Sequence, residues 1–236
     1  MWSRLHGAVL DAWAALAPVD CAGCETPDRA LCETCRAELA AAVPARHALT
    51  RADGTELPVW HALEYGGTAR SILLAFKDGG RTDVAPALAA VLRRVVRAAL
   101  AASPPEARGR VVLAGIPSTR AAFRRRGYVP LRHLVTRAGY RDERMLVATR
   151  QTQDQSDLDT TARFANRKES LAVRGGPVGA FVVLLDDIIT TGATILEADR
   201  AFHAAGHRVL CAVAVARTPR RIPALRADVQ IGRKCS

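Results

Sequence analysis

The sequence predicts an α/β protein with a core of parallel strands flanked by helices and a small cysteine-rich module near its start. Two observations carry this prediction. Residues 181–185 are five consecutive large apolar residues bounded by polar ones, the pattern of a strand buried on both faces of a parallel sheet. Upstream, four cysteines stand in two C-x-x-C pairs, a spacing typical of a metal-stabilised module that has no core of its own.

The elements follow in order along the chain. The first 45 residues are predicted to form a helix and the cysteine module, and residues 46–236 a larger domain. Short strands are expected in residues 46–65, and beyond them apolar residues recur at helical spacing before a buried strand. The predicted bounds are helices at 68–77 and 84–101, strands at 110–116 and 209–216, and a basic, loosely tied end from Thr218.

The cysteine pairs predict a structural zinc site. Each C-x-x-C can place two thiolates on one metal, and the seven residues between the pairs can return the chain without burying a core. Two disulfides and redox-active C-x-x-C motifs are the alternatives, but neither a secretory context nor a thioredoxin-like unit surrounds them. Cys211 is expected in the core and Cys235 near a frayed terminus. The predicted ligands are Cys21, Cys24, Cys32 and Cys35.

A βαβ unit is predicted around the acidic turn that follows residues 181–185. Asp186 and Asp187 fall where that strand ends, and ligands bind beyond the carboxyl ends of parallel strands. The next residues supply hydroxyls and accessible amides at the start of a helix, where the helix dipole favours an anion. Gly206 stands where a left-handed residue would end that helix. The turn therefore predicts a phosphosugar site, with simple helix capping as the alternative.

Two adjacent acids followed by Thr-Thr-Gly-Ala-Thr resemble the phosphoribosyl pyrophosphate (PRPP) signature of type I phosphoribosyltransferases. The resemblance implies the fold of that family. It also implies that Asp186 and Asp187 are the catalytic pair that holds the 2′- and 3′-hydroxyls of the ribose. The residues that it assigns to the 5′-phosphate are Thr190, Thr191, Gly192, Ala193 and Thr194.

The order of further motifs over residues 20–216 resembles the ComF family of competence-associated phosphoribosyltransferase-like proteins. These motifs are the cysteine module, residues 75–80, 116–119, 124–128 and 150–158, and Arg163 with Asn166. The resemblance implies that the loop after the first core strand grips pyrophosphate and that a mobile hood closes over PRPP. The implied contacts are Ser118, Thr119, Arg120, Arg124, Arg126 and Lys77.

The sequence departs from the family at two of these motifs. Residues 126–130 read Arg-Gly-Tyr-Val-Pro where Arg-Gly-Phe-Asn-Gln is expected, and residues 115–119 replace Pro-Val-Pro-Leu. The first change removes two amides, whereas Ser118 and Thr119 can still donate to phosphate. A solvated surface loop is the alternative for the arginine cluster, and an exposed turn is the alternative for Lys77.

Composition and charge limit the kinds of partner and the compartment that we expect for this protein. The net charge of +11 favours polyanions such as nucleic acid or multiply phosphorylated substrates, although a coding bias towards arginine and alanine explains it as well. No apolar run approaches the roughly 20 residues that span a bilayer, and Asp11 interrupts the apolar start of the chain. We therefore expect a cytoplasmic protein whose first residues form an amphipathic helix on the cysteine module.

Three functions are consistent with these residues. The first is phosphoribosyl transfer from PRPP to a nitrogen nucleophile, with Mg²⁺ bridging the pyrophosphate and the ribose hydroxyls. The second is binding of single-stranded DNA during DNA uptake, which the competence-associated members of the family imply. The third is PRPP sensing without turnover. No histidine stands in a motif that identifies a general base.

Overall fold

The computed structural model describes residues 19–149 and 170–219. The predicted N-terminal helix, the motif at residues 150–158, Arg163, Asn166 and Cys235 lie outside these ranges. The helices of the described residues are α1 (Glu33–Ala41), α2 (Gly67–Lys77), α3 (Ala85–Ala101), α4 (Arg120–Arg126), α5 (Pro130–Arg137) and α6 (Ala193–Ala204). The strands are β1 (Ala45–Thr50), β2 (Glu56–His61), β3 (Leu63–Glu64), β4 (Val111–Gly115), β5 (Leu146–Ala148), β6 (Leu171–Val173), β7 (Phe181–Ile189) and β8 (Arg208–Arg217).

The main sheet has a parallel centre and one antiparallel edge. Its strand order is β1-β2-β8-β7-β4, and β3 also pairs with β8. The pairs β2–β8, β3–β8, β7–β8 and β4–β7 are parallel, whereas β1 and β2 form an antiparallel hairpin. A separate antiparallel pair joins β5 to β6. The predicted α/β class with a parallel core flanked by helices is therefore confirmed.

Both faces of the sheet are buried, which explains the unbroken apolar run in β7. Val183 and Leu185 pack in a cluster with α2, α3 and α5, whereas Val182 and Leu184 pack in a second cluster with α6. Successive side chains of a strand point to opposite faces, so a strand covered on both faces has to be apolar throughout. The predicted βαβ unit is β7, α6 and β8, and Gly206 follows α6 with a left-handed φ of 77°.

The cysteine module is continuous with the core beneath it. Cys35 and Leu39 of α1 are buried in the same apolar cluster as the inner face of α3. The Arg94 Nη2 atom of α3 donates to the Leu39 carbonyl at 2.6 Å, and Arg81 donates to the Asp20 carbonyl at 3.0 Å. The module is thus attached to the larger domain by apolar packing and by two arginines.

Among the described residues, none of the helices combines the length and apolar character needed to cross a membrane.

Candidate functional site

The acid pair lies in the part of β7 that extends beyond the end of its neighbour β4. The last β4 pair is Gly115 with Leu185, and the Ile116 amide donates to the Leu185 carbonyl at 2.9 Å. On its other side, β7 stays paired with β8 as far as Ile189. The prediction that both carboxylates lie beyond the strand end is therefore wrong. They lie within the strand, because β8 continues to pair with its backbone, but on the β4 side no strand of the described residues lies beside them.

The two acids differ in their surroundings. Asp187 is on the face of β7 that packs against α2, where the Lys77 Nζ atom lies 2.9 Å from its Oδ1 atom. Asp186 accepts from the Asp187 amide at 2.8 Å. Burial raises the pKa of the Asp186 carboxyl well above its usual 3.8, and the neighbouring Asp187 charge raises it further. The edge therefore combines one carboxylate with a fixed counter-ion and one carboxyl that resists ionisation.

Lys77 is a functional candidate that the sequence indicated only weakly. It is the last residue of α2, its side chain is 22% exposed, and its pairing with Asp187 rules out the exposed-turn alternative. The sequence feature that indicates a role for Lys77 is its helical spacing. Lys77 is four residues beyond the buried Leu73, so it continues the apolar face of α2 that packs towards β7.

The next residue, Asp78, ties α2 to the arginine cluster. Its Oδ1 atom accepts from Arg125 Nη2 at 2.9 Å and from Arg126 Nε and Nη2 at 3.1 and 2.9 Å. Burial opposes ionisation of Asp78, but its hydrogen bonds to Arg126 and Arg125 lower its pKa below the usual value. The Tyr128 hydroxyl donates to the carbonyl of Phe76, two residues before Asp78. Local sequence does not reveal a role for Asp78, because its partners lie about 50 residues away.

The arginines were expected in a loop, and the structure places them in helix α4. The Thr119 hydroxyl accepts from the Ala122 amide at 3.2 Å and caps the start of this helix, and Gly127 ends it in the left-handed conformation. Arg120 and Arg124 are exposed, whereas the Arg126 side chain is only 13% exposed. Ser118 and Thr119 follow β4, which is the neighbour of β7 in the sheet.

The turn from β7 to α6 needs a glycine at its centre. Gly192 has a φ of 80°, and a Cβ atom there would lie 2.5 Å from Leu49 Cδ1. Gly192 occupies the N-cap position, so α6 has no side-chain cap from a threonine at that position. Thr191 Oγ1 accepts from the Ala193 amide at 3.3 Å, while Thr190 and Thr191 are both exposed. Two hydroxyls and the first amides of α6 therefore line the turn, with Ala193 and Thr194 in its first helical turn.

A large groove of the described residues lies elsewhere. This groove of about 1490 Å³ runs between the β1–β2 hairpin and the outer side of α6, and it reaches the turn only at Thr191 and Ala193. Its charged side chains are largely paired, as in the contact of Arg51 Nε with Asp199 Oδ2 at 2.8 Å. We place the candidate site at the acid pair instead, because Asp187 pairs with Lys77 there and the strand ends immediately before the exposed Thr190 and Thr191.

The four cysteines of the module come together as predicted. The sulfur atoms of Cys21, Cys24, Cys32 and Cys35 all lie within 4.8 Å of one another. Cys21 Sγ accepts from the amides of Cys32 and Gly23 at 3.3 and 3.4 Å. Burial opposes ionisation of Cys21, but these amide donors lower its pKa to about 6. Burial among the other sulfurs raises the pKa of Cys35 in the absence of a cation.

This arrangement fits a tetrahedral zinc ion. Zinc–sulfur bonds of about 2.3 Å require sulfur atoms roughly 3.8 Å apart, and the Cys24 and Cys32 sulfurs are 3.6 Å apart. Amide donors to the sulfurs disperse the thiolate charge. The fifth described cysteine, Cys211, is buried in the core as predicted, and burial raises its pKa to about 12.

Comparison with known proteins gave matches among solved structures only. No family model and no curated protein matches the chain. The chain is similar to a UMP synthase of Leishmania donovani at 14% identity and a TM-score of 0.34, over 78% of this chain and 30% of that one. It is similar to an adenine phosphoribosyltransferase at 14% identity and a TM-score of 0.38, over 78% and 89%. An orotate phosphoribosyltransferase of Aeropyrum pernix matches at 17% identity and a TM-score of 0.33, over 77% and 78%.

The chain thus spans about 30% of the length of the UMP synthase that it matches. Similarities at this level say nothing about the ligand that this chain binds.

Proposed function

We propose that this protein is a phosphoribosyltransferase-like member of the ComF family, which binds PRPP with Mg²⁺ at the carboxyl edge of β7 and transfers its phosphoribosyl group to a nitrogen acceptor. The observation that carries the proposal is the pair Asp186–Asp187, which lies past the last β7 residue that pairs with β4 and is separated by two residues from the exposed threonines of the turn. Carboxylates suit ribose hydroxyls, and backbone amides at the start of α6 suit a phosphate.

Each end of PRPP has residues of suitable chemistry at this edge. The turn Thr190–Thr194 would take the 5′-phosphate, and the loop with Ser118 and Thr119 would face the pyrophosphate, because β4 and β7 are adjacent. Arg120 and Arg124 are exposed and available to the same leaving group. Thr119 would have to give up its bond to Ala122 in order to donate to a phosphate.

The proposed reaction is a displacement at the ribose anomeric carbon. The lone pair of the acceptor nitrogen forms the new bond, the bond to the pyrophosphate oxygen breaks, and pyrophosphate leaves with that electron pair. The proton of the acceptor nitrogen is released to solvent. Asp186 and Asp187 orient the ribose and stabilise the positive charge that develops on the carbon. Magnesium, when bound with PRPP, neutralises charge on the leaving pyrophosphate.

Calorimetry with PRPP and Mg²⁺, followed by pyrophosphate release against a panel of bases and amines, tests the proposal. Binding with release supports transfer, and binding without release supports a PRPP sensor instead. If the wild-type protein binds no PRPP, both are wrong, and the acid pair serves the structure alone.

A second candidate function is binding of single-stranded DNA, and one observation favours it. Phe123 is an aromatic residue of α4 that is 49% exposed, with the exposed Arg120 and Arg124 on the same short helix. An exposed ring can stack on a base while arginines contact phosphates. Each neutralised phosphate should contribute about −0.7 to the slope of log affinity against log salt for single strands.

Fluorescence titration of labelled single-stranded DNA at several salt concentrations tests this second function. We expect Phe123→Ala to weaken binding by about 1–3 kcal/mol if one base stacks on the ring. We expect Arg124→Gln to make the salt slope shallower. Arg141→Gln is the matched control, because Arg141 is 85% exposed and is not a residue of α4. A wild-type protein that does not bind at low salt would exclude this function.

A further inference from the structure

The end of α2 holds two acid–base contacts side by side, and only one of them belongs to the site as proposed so far. Lys77 pairs with Asp187, while Asp78 holds Arg125 and Arg126 at 2.9 Å each. Adjacent residues of one helix end therefore reach both the acid pair and the arginine helix α4. No sequence motif assigned a role to Asp78.

A second contact joins the arginine segment to the end of α2. The hydroxyl of Tyr128, which follows α4 in the chain, donates to the Phe76 carbonyl. The Tyr128 ring also packs edge-on against Phe76, with ring centroids 5.9 Å apart. The arginine helix is thus fixed against the end of α2 by an aromatic contact as well as by Asp78.

The contact between Asp78 and the two arginines leaves one positive charge uncompensated. Two guanidinium groups share one carboxylate oxygen, so Asp78 cancels only one of their two charges. Arg126 uses Nε and Nη2 on Asp78, and Arg125 uses Nη2. The Arg125 side chain is 66% exposed, so its other donors can still reach a ligand.

We propose that Asp78 is a positioning residue that holds Arg125 and Arg126 beside the acid pair, in place to bind the pyrophosphate group of PRPP. The inference rests on the proposed function. Arginine forks bind phosphate oxygens well, but a free arginine loses rotamer entropy when it does so. A carboxylate that already anchors two guanidinium groups removes part of that cost before the ligand arrives.

The sign of the effect of Asp78→Ala on binding separates this role from simple electrostatics. Removal of a negative charge next to an anion site should by itself strengthen anion binding. If Asp78 positions the arginines, its removal should weaken binding, because two long side chains must then be ordered by the ligand. We expect PRPP and inorganic pyrophosphate, each with Mg²⁺, to bind about tenfold more weakly to Asp78→Ala.

Binding of ribose 5-phosphate distinguishes positioning of the arginines from a general loss of structure in the variant. It lacks the pyrophosphate group, so its affinity should be unchanged in Asp78→Ala, and Asp78→Glu should recover part of the loss for pyrophosphate. Asp83→Ala is the matched control, since Asp83 also pairs with an arginine, Arg81, at 2.9 Å, but takes no part in the contact between Asp78 and α4.

The decisive measurement is calorimetry with the full chain, combined with the double variant that adds Arg126→Gln. If positioning is correct, Asp78→Ala should cost less in the Arg126→Gln background than in the wild type, because only Arg125 is then left for Asp78 to hold. Tighter or unchanged pyrophosphate binding to Asp78→Ala would overturn the inference while the proposed function stands. A wild type that binds pyrophosphate but not PRPP would overturn the proposed function, and weaker pyrophosphate binding to Asp78→Ala would then still support the role of Asp78 in positioning the arginines. Binding of neither ligand would overturn both.

Discussion

The cysteine cluster and the acid edge are built in opposite ways. All four sulfur ligands of the cluster come from residues 21–35, and their amide donors come from the same stretch. At the acid edge, Asp187 meets Lys77 across 110 positions of sequence, and Asp78 meets Arg126 across 48. The first site is local in the sequence, whereas the second exists only when the sheet and α2 have packed.

This difference explains which site residues can be identified from the sequence before the fold is known. A short spacing between ligands limits the geometry of the chain between them, so C-x-x-C pairs indicate a cluster before any fold is known. The partner of a strand residue depends on the register of the sheet and on which helix covers it. The contrast predicts that changes in the cluster act mainly on stability, and that changes at the acid edge act mainly on binding.

The largest effect should come from the cluster. We expect Cys35→Ser to abolish stoichiometric zinc binding and to unfold the module, because structural zinc contributes about 10–16 kcal/mol of apparent binding free energy in small domains. Since Cys35 and Leu39 share a core cluster with α3, the melting temperature of the whole protein should also fall. Elemental analysis and thermal unfolding check this result.

Cys211→Ala is the control, because Cys211 is buried but lies outside the cluster, so the variant should retain its zinc. Absence of zinc from the wild type purified under reducing conditions would contradict the zinc site.

The next largest effect should be on ligand binding. Asp186→Asn combined with Asp187→Asn should abolish PRPP binding, because each lost hydrogen bond to a charged group costs about 1.5–3 kcal/mol. The amides have the same size as the carboxyls, so the fold should persist. Circular dichroism and calorimetry distinguish the two outcomes, and Asp53→Asn in the exposed β1–β2 turn is the control. Wild-type affinity in the double variant would mean that the acids do not touch the ligand.

A smaller effect is expected at the turn. Thr191→Val removes one hydroxyl from the phosphate cradle and should weaken PRPP binding by about 1.5–3 kcal/mol, the contribution of one hydrogen bond to a charged group. It also removes the bond that Thr191 accepts from the Ala193 amide. Thr191→Ser restores the hydroxyl and should restore the affinity. If the serine variant binds as weakly as the valine variant, the hydroxyl is not a phosphate donor.

The smallest effect should be a pH-dependent gain in stability. Because the pKa of Asp186 in the folded protein lies above 3.8, the folded state binds this proton more tightly than the unfolded state does. Its contribution to stability is therefore present below pH 3.8 and is lost as the pH rises through the folded pKa. Asp186→Asn should melt higher than the wild type at neutral pH, by about 2–4 °C for each kcal/mol of relieved strain.

Thermal unfolding over a pH series checks this prediction. The difference between Asp186→Asn and the wild type should shrink as the pH falls towards and below 3.8, because Asp186 is then increasingly protonated in both the folded and the unfolded state. A difference that is constant with pH would show that the gain does not come from the ionisation of Asp186.

The sequence by itself determined the elements that depend on local pattern. The apolar run of β7, the end of α6 at Gly206, and the approximate bounds of α2 and α3 followed from periodicity and glycine placement. The cysteine cluster followed from spacing alone. These features require only short stretches of chain, because helical and strand periods and short loops are set by neighbouring residues.

Only the tertiary structure decided how the acid edge is assembled. The extension of β7 to Ile189 depends on pairing with β8, so the acids lie within the strand and not after it. Lys77 and Asp78 acquired partners because the packing of α2 brings its last turn to β7 and α4. Contacts between residues 48 to 110 positions apart are set by sheet register and helix packing, which local sequence does not encode.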